Sequence, residues 1–205
     1  MNVGLLETVS RETSERLTIL HDLLQKWNPK INLVAKSTLS TAWERHILDS
    51  VQIFKLAPNT PGAWCDLGSG GGFPGLVVAI LAADVSPVTR VTLIESDQRK
   101  CLFLKTVLRE TGVSARVLTD RIENAPAQSA DVISARALAD LDALFGFAVQ
   151  HGTPSTICLF PKGHRWKDEA ERARLGWSFD LEQFKSETDD NAAILRVKNI
   201  YAKAS

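Results

Sequence analysis

The stretch "CDLGSGGGFPGLVVAI", residues 65–80, constrains this chain more than any other. A short apolar segment runs into Gly68, Gly70, Gly71 and Gly72, then Phe73-Pro74-Gly75 and an apolar run. Glycines this dense serve a tight turn and a close approach of backbone to a ligand. Pro74 suits the first turn of a helix. A strand, a glycine loop and a helix in succession open a doubly wound α/β sheet. Such sheets bind ligands at the carboxyl ends of their strands, at the switch point beside the first strand.

The rest of the pattern agrees. Strands are predicted over 63–67, 90–96, 115–119, 131–135 and 155–160, alternating with helices over 74–83, 97–111, 138–150 and 165–175. Asp97 is a candidate N-cap and Gly112 a helix stop. A short helical piece is expected between the third and fourth strands. Two closing strands, 177–185 and 193–201, flank the turn-rich "ETDDN" and form a hairpin. The first sixty residues read as helical. Leu17, Leu20, Leu23, Leu24 and Trp27 predict a helix from about Val3 to Lys26, ended by Pro29. A second helix begins near Thr41, where Glu44 completes a capping-box spacing. The expected fold is α/β, a mostly parallel doubly wound sheet with a C-terminal antiparallel hairpin. An N-terminal helical extension, 1–60, packs on one globular unit, 61–205. At 205 residues and 44% hydrophobic, the chain suffices for one sizeable core.

The loop chemistry narrows the ligand. A phosphate-binding Walker loop needs Gly-Lys-Ser/Thr, and these glycines lead into Phe73-Pro74 instead. A dinucleotide fingerprint, G-x-G-x-x-G, is met by Gly68 and Gly70. Phe73 takes the third position, whose glycine serves close helix–strand packing. S-adenosylmethionine carries no pyrophosphate. It needs glycines beside its amino-acid tail and adenosine, and an acid at the end of the second strand for the ribose hydroxyls. Glu95, in "TLIESD", stands there. A nicotinamide-dependent oxidoreductase and a non-catalytic module binding cofactor or RNA stay as alternatives.

Lys+Arg and Asp+Glu both number 24, so an overall basic nucleic-acid binder is not indicated; neutrality is an average and leaves room for a local patch. Arg136, Lys162, Arg165 and Lys167 fall after strands four and five, at the cofactor end of the sheet, and Arg45 and His46 can face them. If the substrate is a nucleic acid, these are its expected contacts. Arg45 and Asp49, spaced i,i+4, can pair on their helix. Cys65, Cys101 and Cys158 are far apart in apolar contexts and read as buried thiols of a cytoplasmic protein. No signal peptide, membrane span or metal-ligand spacing is evident.

In order along the chain stand "WNPKINL" (27–33), "ERHILDS" (44–50), "DLGSGGGFPG" (66–75), "ISARA" (133–137) and "PKG" (161–163). Together they resemble the bacterial RsmG family, also called GidB, over nearly the whole chain. That resemblance implies a Rossmann-like class I methyltransferase fold. It also implies methylation of N7 of a guanine in 16S ribosomal RNA, in the small-subunit loop near the decoding centre. By the same resemblance Gly68 and Phe73 contact S-adenosylmethionine and Glu95 holds its ribose. Ile122 and Glu123, in "DRIEN", flank the adenine. Arg136 lies where methyl donor and acceptor meet; it has the catalytic role and is also counted among the cofactor-binding residues, with Gly70.

Overall fold

The structure, a computed structural model, describes residues 9–59 and 61–203. Seven strands form one sheet in the order β3-β2-β1-β4-β5-β7-β6. They are β1 (Ala63–Leu67), β2 (Arg90–Glu95), β3 (Arg116–Thr119), β4 (Ala130–Ser134), β5 (Gly152–Lys162), β6 (Trp177–Lys185) and β7 (Ala193–Ala202). The first five are parallel; β7 runs antiparallel to β5 and to β6, so the predicted hairpin closes the sheet. Strand order reverses between β1 and β4, which places the glycine loop at the switch point.

Among the described residues six α-helices cover the two faces: α1 (Arg11–Ile31), α2 (Asp49–Lys55), α3 (Gly75–Val85), α4 (Gln98–Thr111), α5 (Leu141–His151) and α6 (Trp166–Gly176). On one face α1 to α4 bury a cluster that includes Leu17, Leu20, Leu24, Ile47, Leu76, Ile80, Phe103 and Leu104. On the other, α5 and α6 cover Cys65, Leu67, Ile133, Phe145, Cys158 and Phe160. All three cysteines are free and buried, and burial pushes the Cys65 and Cys158 thiols up. Asp97 and Gly112 cap α4 as read from sequence; Gly112 has φ 66°.

Several boundaries differ from expectation. The start predicted for α1 lies partly in residues 3–8, outside the described residues. Within them, Ser10 is the N-cap and accepts from the Thr13 amide. Pro29 does not end α1 but sits in its last turn. There its missing N–H forfeits a single helical bond, while the buried face continues through Leu24 to Asn28. Asn32 makes the stop: it is left-handed (φ 45°), and its amide donates to the Asn28 carbonyl. The capping box at Thr41 does not form. Residues Lys36–Thr41 are a 3₁₀ turn, and Trp43–Leu48 a π-helical turn that runs into α2 without a side-chain cap. The piece expected between β3 and β4 is a turn, not a helix.

The helix–sheet approach corrects the reading of the glycine loop. The close helix–strand packing that the fingerprint assigns to its third glycine, at the position of Phe73, is made instead by Gly75, two residues on. A Cβ on Gly75 would collide with the Leu93 side chain of β2 and the Asp66 carboxyl of β1. Gly75→Ala should therefore cost about 2 kcal/mol or more by overpacking, seen as a lower denaturant midpoint at unchanged m.

Candidate active site

A cleft of about 1010 Å³ opens at the carboxyl ends of the strands. Its floor is the glycine loop. Gly68 (φ 61°) and Gly70 (φ 55°) occupy the left-handed region, so the turn read from sequence is present. A Cβ on Gly70 would meet only the Gly68 carbonyl, at 3.7 Å; the space above it is cleft. Gly71 is needed for a different reason. A Cβ there would come 2.9 Å from the Leu33 carbonyl, so the "WNPKINL" segment lies directly on the loop. The Asn28 side chain sets that segment by accepting from the Val34 amide at 2.8 Å.

Glu95 ends β2 and is buried. One carboxylate oxygen accepts from the Gly70 amide and the other from the Asp97 amide, each at 2.8 Å. Each oxygen keeps a second acceptor site. Glu95 thus fixes the loop and lines the cleft at once. Asp66, at the end of β1, is fully buried; burial pushes its carboxyl up to about 6, against the hydroxyl of Ser134 that donates to it at 2.6 Å. Ile122 supplies an apolar wall and Glu123 an exposed rim. Gln150 and His151, at the end of α5, hold that turn by bonding to the Ile122 and Glu123 carbonyls.

Arg136, just after β4, lines the same cleft. Its guanidinium lies 5.3 Å from the Phe73 ring centroid. It donates to His46 Nδ1 at 2.9 Å and to the Arg45 carbonyl at 3.2 Å, and faces the Asp49 carboxylate at 3.7 Å. Burial lowers the Arg136 pKa; the charge of Asp49 opposes that. The predicted Arg45–Asp49 pair is absent. Arg45 pairs with Asp189 at 2.9 Å, and Asp49 accepts from Thr188 at 2.9 Å, both in the hairpin turn after β6. The π-helical turn alters the i,i+4 geometry that the pairing assumed. His46 is not presented to solvent. It is 9% exposed, with both ring nitrogens bonded.

The expected basic cluster is thinner than its sequence suggests. Lys162 lines the cleft, but its ammonium is spent on the Ala139 carbonyl (2.6 Å) and Glu169 (2.7 Å). Arg165 lies outside the cleft, exposed beside a neighbouring hollow with Arg172. Lys167 lies over the Trp166 ring. The cleft thus gathers Gly68, Gly70, Phe73, Glu95, Ile122, Glu123, Arg136, Arg45, His46 and Lys162, and leaves out Arg165. Sequence reasoning missed Asp49, Thr38 and Leu33 as parts of this wall, although the "WNPKINL" and "ERHILDS" motifs contain two of them. Among the described residues no group of three His, Cys, Asp or Glu could hold a metal, and no helix is long and apolar enough to cross a membrane.

Burial, then the charges of Arg136 and Arg45, push the His46 imidazole down to about 3. Below pH 6.5 the unfolded chain binds a proton there that the folded chain refuses. This stability is present above pH 6.5 and is lost as pH falls toward 3, at about 1.4 kcal/mol per unit. Asp66 is shifted upward and acts oppositely below pH 6. The test is therefore a comparison with His46→Asn, which shares Asp66. The wild type should lose about 2 kcal/mol relative to the variant between pH 7 and 5, by denaturant titration.

The family described as rRNA small subunit methyltransferase G matches residues 13–192. The ribosomal RNA small subunit methyltransferase G of Ruegeria sp. (strain TM1040) is 54% identical over 192 residues, 94% of this chain and 93% of that one. The protein of the same name from Rhodospirillum centenum is 53% identical, covering 94% of this chain and 87% of its own. Among solved structures, a SAM-dependent methyltransferase from Aquifex aeolicus superposes with TM-score 0.61 at 13% identity, over 77% of this chain and 92% of that one. TYW2 of P. horikoshii, solved in complex with MeSAdo, gives TM-score 0.59 at 14% identity, over 84% of this chain and 66% of its own. At such identities the likeness is one of fold.

Proposed function

Since this chain belongs to the rRNA small subunit methyltransferase G family, we propose that it moves a methyl group from S-adenosylmethionine to N7 of a guanine in 16S rRNA, in the decoding-region loop. The observation that carries the reading is one cleft lined by both the Glu95-anchored glycine loop and Arg136, whose guanidinium lies 5.3 Å from the Phe73 ring centroid.

The residues present fit the cofactor. Gly70 leaves open space above the loop, the spare acceptor sites of Glu95 suit a pair of ribose hydroxyls, and Ile122 offers an apolar face for a base. S-adenosylmethionine supplies an electrophilic methyl group on a sulfonium. Guanine N7 already carries a lone pair and no proton, so no residue has to act as a general base. The work of the chain is to position and to exclude water. Phe73 shields the mouth, and Arg136 presents a fixed positive charge there, suited to the guanine O6 edge or a phosphate. The target base would have to be unstacked to enter.

Incubating the purified protein with labelled S-adenosylmethionine and either naked 16S RNA or small subunits tests this. The expected product after digestion is 7-methylguanosine. Label in another nucleoside, or none with either substrate, contradicts the proposal.

A further inference from the structure

Methyl transfer makes no direct use of His46, one of the ionisable side chains that line the cleft. His46 lies between the Phe73 ring, 5.2 Å away by centroid, and the Arg136 guanidinium. The hydrogen bonds around its ring allow one proton arrangement. Arg136 has only donors, so Nδ1, 2.9 Å from it, must accept and carries no proton. The ring proton is then on Nε2, which stands 2.9 Å from Thr38 Oγ1. That hydroxyl gives its own proton to the Ala35 carbonyl, 2.8 Å away, and so is free to accept from Nε2. The relay runs in one direction, from Arg136 through His46 and Thr38 to the backbone.

We infer that His46 is a positioning residue: as the neutral Nε2–H tautomer it holds the guanidinium of Arg136 in place at the mouth of the cofactor cleft. Asp49 cannot do this alone. At 3.7 Å it is beyond hydrogen-bond length from the guanidinium, and its other oxygen serves Thr188 of the hairpin turn. The Arg45 carbonyl accepts at 3.2 Å, so the bond to His46 is the shortest that Arg136 makes. The charged groups facing the ring are Arg136, from the loop after β4, and Arg45 and Asp49, from its own helical segment; Thr38 and Phe73 complete the surround and are neutral. A second proton on the ring would set an N–H against an N–H of Arg136. The functional part of this inference rests on reading the cleft as a methyl-transfer site; the tautomer does not.

Two arms test it on the full chain. In the first, nitrogen-15 NMR follows the His46 ring, assigned by the loss of its signals in His46→Asn. Nδ1 should stay unprotonated and Nε2 protonated from pH 8 down to 5.5. The other tautomer, or a titration within that range, overturns the inference. In the second, His46→Asn keeps an acceptor oxygen near the place of Nδ1, whereas His46→Gln moves its amide toward the place of Nε2. The Gln variant should lose about 100-fold in kcat on small subunits, through misplacement of Arg136, and the Asn variant should recover most of that, with KM for S-adenosylmethionine unchanged in both. Equal kcat in the two variants, or a loss carried in KM for the cofactor, overturns the positioning role. Wild-type protein that transfers no methyl group contradicts the reaction reading instead, and leaves the NMR arm to decide the tautomer.

Discussion

Replacing Arg136 with alanine is expected to lower kcat for methyl transfer about 100-fold, with the affinity for S-adenosylmethionine changed by no more than about threefold. The guanidinium lies 5.3 Å from the Phe73 ring centroid and is largely enclosed. It makes no bond to the glycine loop backbone or to Glu95, so the cofactor floor survives its loss. The truncation leaves His46 Nδ1 and the Asp49 carboxylate without their cation, which should cost about 1–3 kcal/mol of stability. Arg136→Lys separates the two effects. It keeps the charge opposite Asp49 but loses the planar fork, so it should fold like the wild type and still lose about tenfold in kcat. Unchanged turnover in a folded Arg136→Ala protein would remove Arg136 from the reaction.

Glu95→Ala should have the opposite signature: binding of S-adenosylmethionine weakened about 100-fold or more, measured by calorimetric titration. The estimate follows from two hydrogen bonds to a charged acceptor at about 1.5–3 kcal/mol each. The same carboxylate accepts from the Gly70 and Asp97 amides, so its loss also unfastens the loop from β2. Glu95→Gln tells the contributions apart. Its amide oxygen can keep one backbone bond, while its NH₂ faces the other backbone donor. An intermediate affinity is expected. Wild-type affinity in either variant, with the fold intact by circular dichroism, would mean that Glu95 does not hold the ribose.

What could be read in the sequence was mostly local. Gly68, Gly70 and Glu95 fall where a strand–loop–helix–strand pattern must put them, because turn geometry and strand ends are set by neighbouring residues. Asp97, Gly112 and the 187–191 turn were legible for the same reason. Contacts between distant segments were not. Nothing near Gly71 announces that Leu33 lies on it, and nothing near Arg45 announces that its partner is Asp189 in the C-terminal hairpin. The spacing of Arg45 and Asp49 misled because it presumed an α-helix where the chain makes a π-helical turn. Lys162 misled because a surface-type residue is enclosed by Glu169 and the Ala139 carbonyl. The third glycine of the fingerprint was sought at Phe73, although the packing need it serves is met by Gly75.

The central claim is that this chain methylates N7 of one guanine in the decoding-region loop of 16S rRNA. Ribosomal RNA from cells with and without the protein, reduced with borohydride and cleaved with aniline, measures that directly. Cleavage at one guanine of that loop should be present with the protein, absent without it, and restored by the wild-type chain but not by Glu95→Ala. The same cleavage pattern in both cell types, or a lost modification at any atom other than N7, would contradict the account.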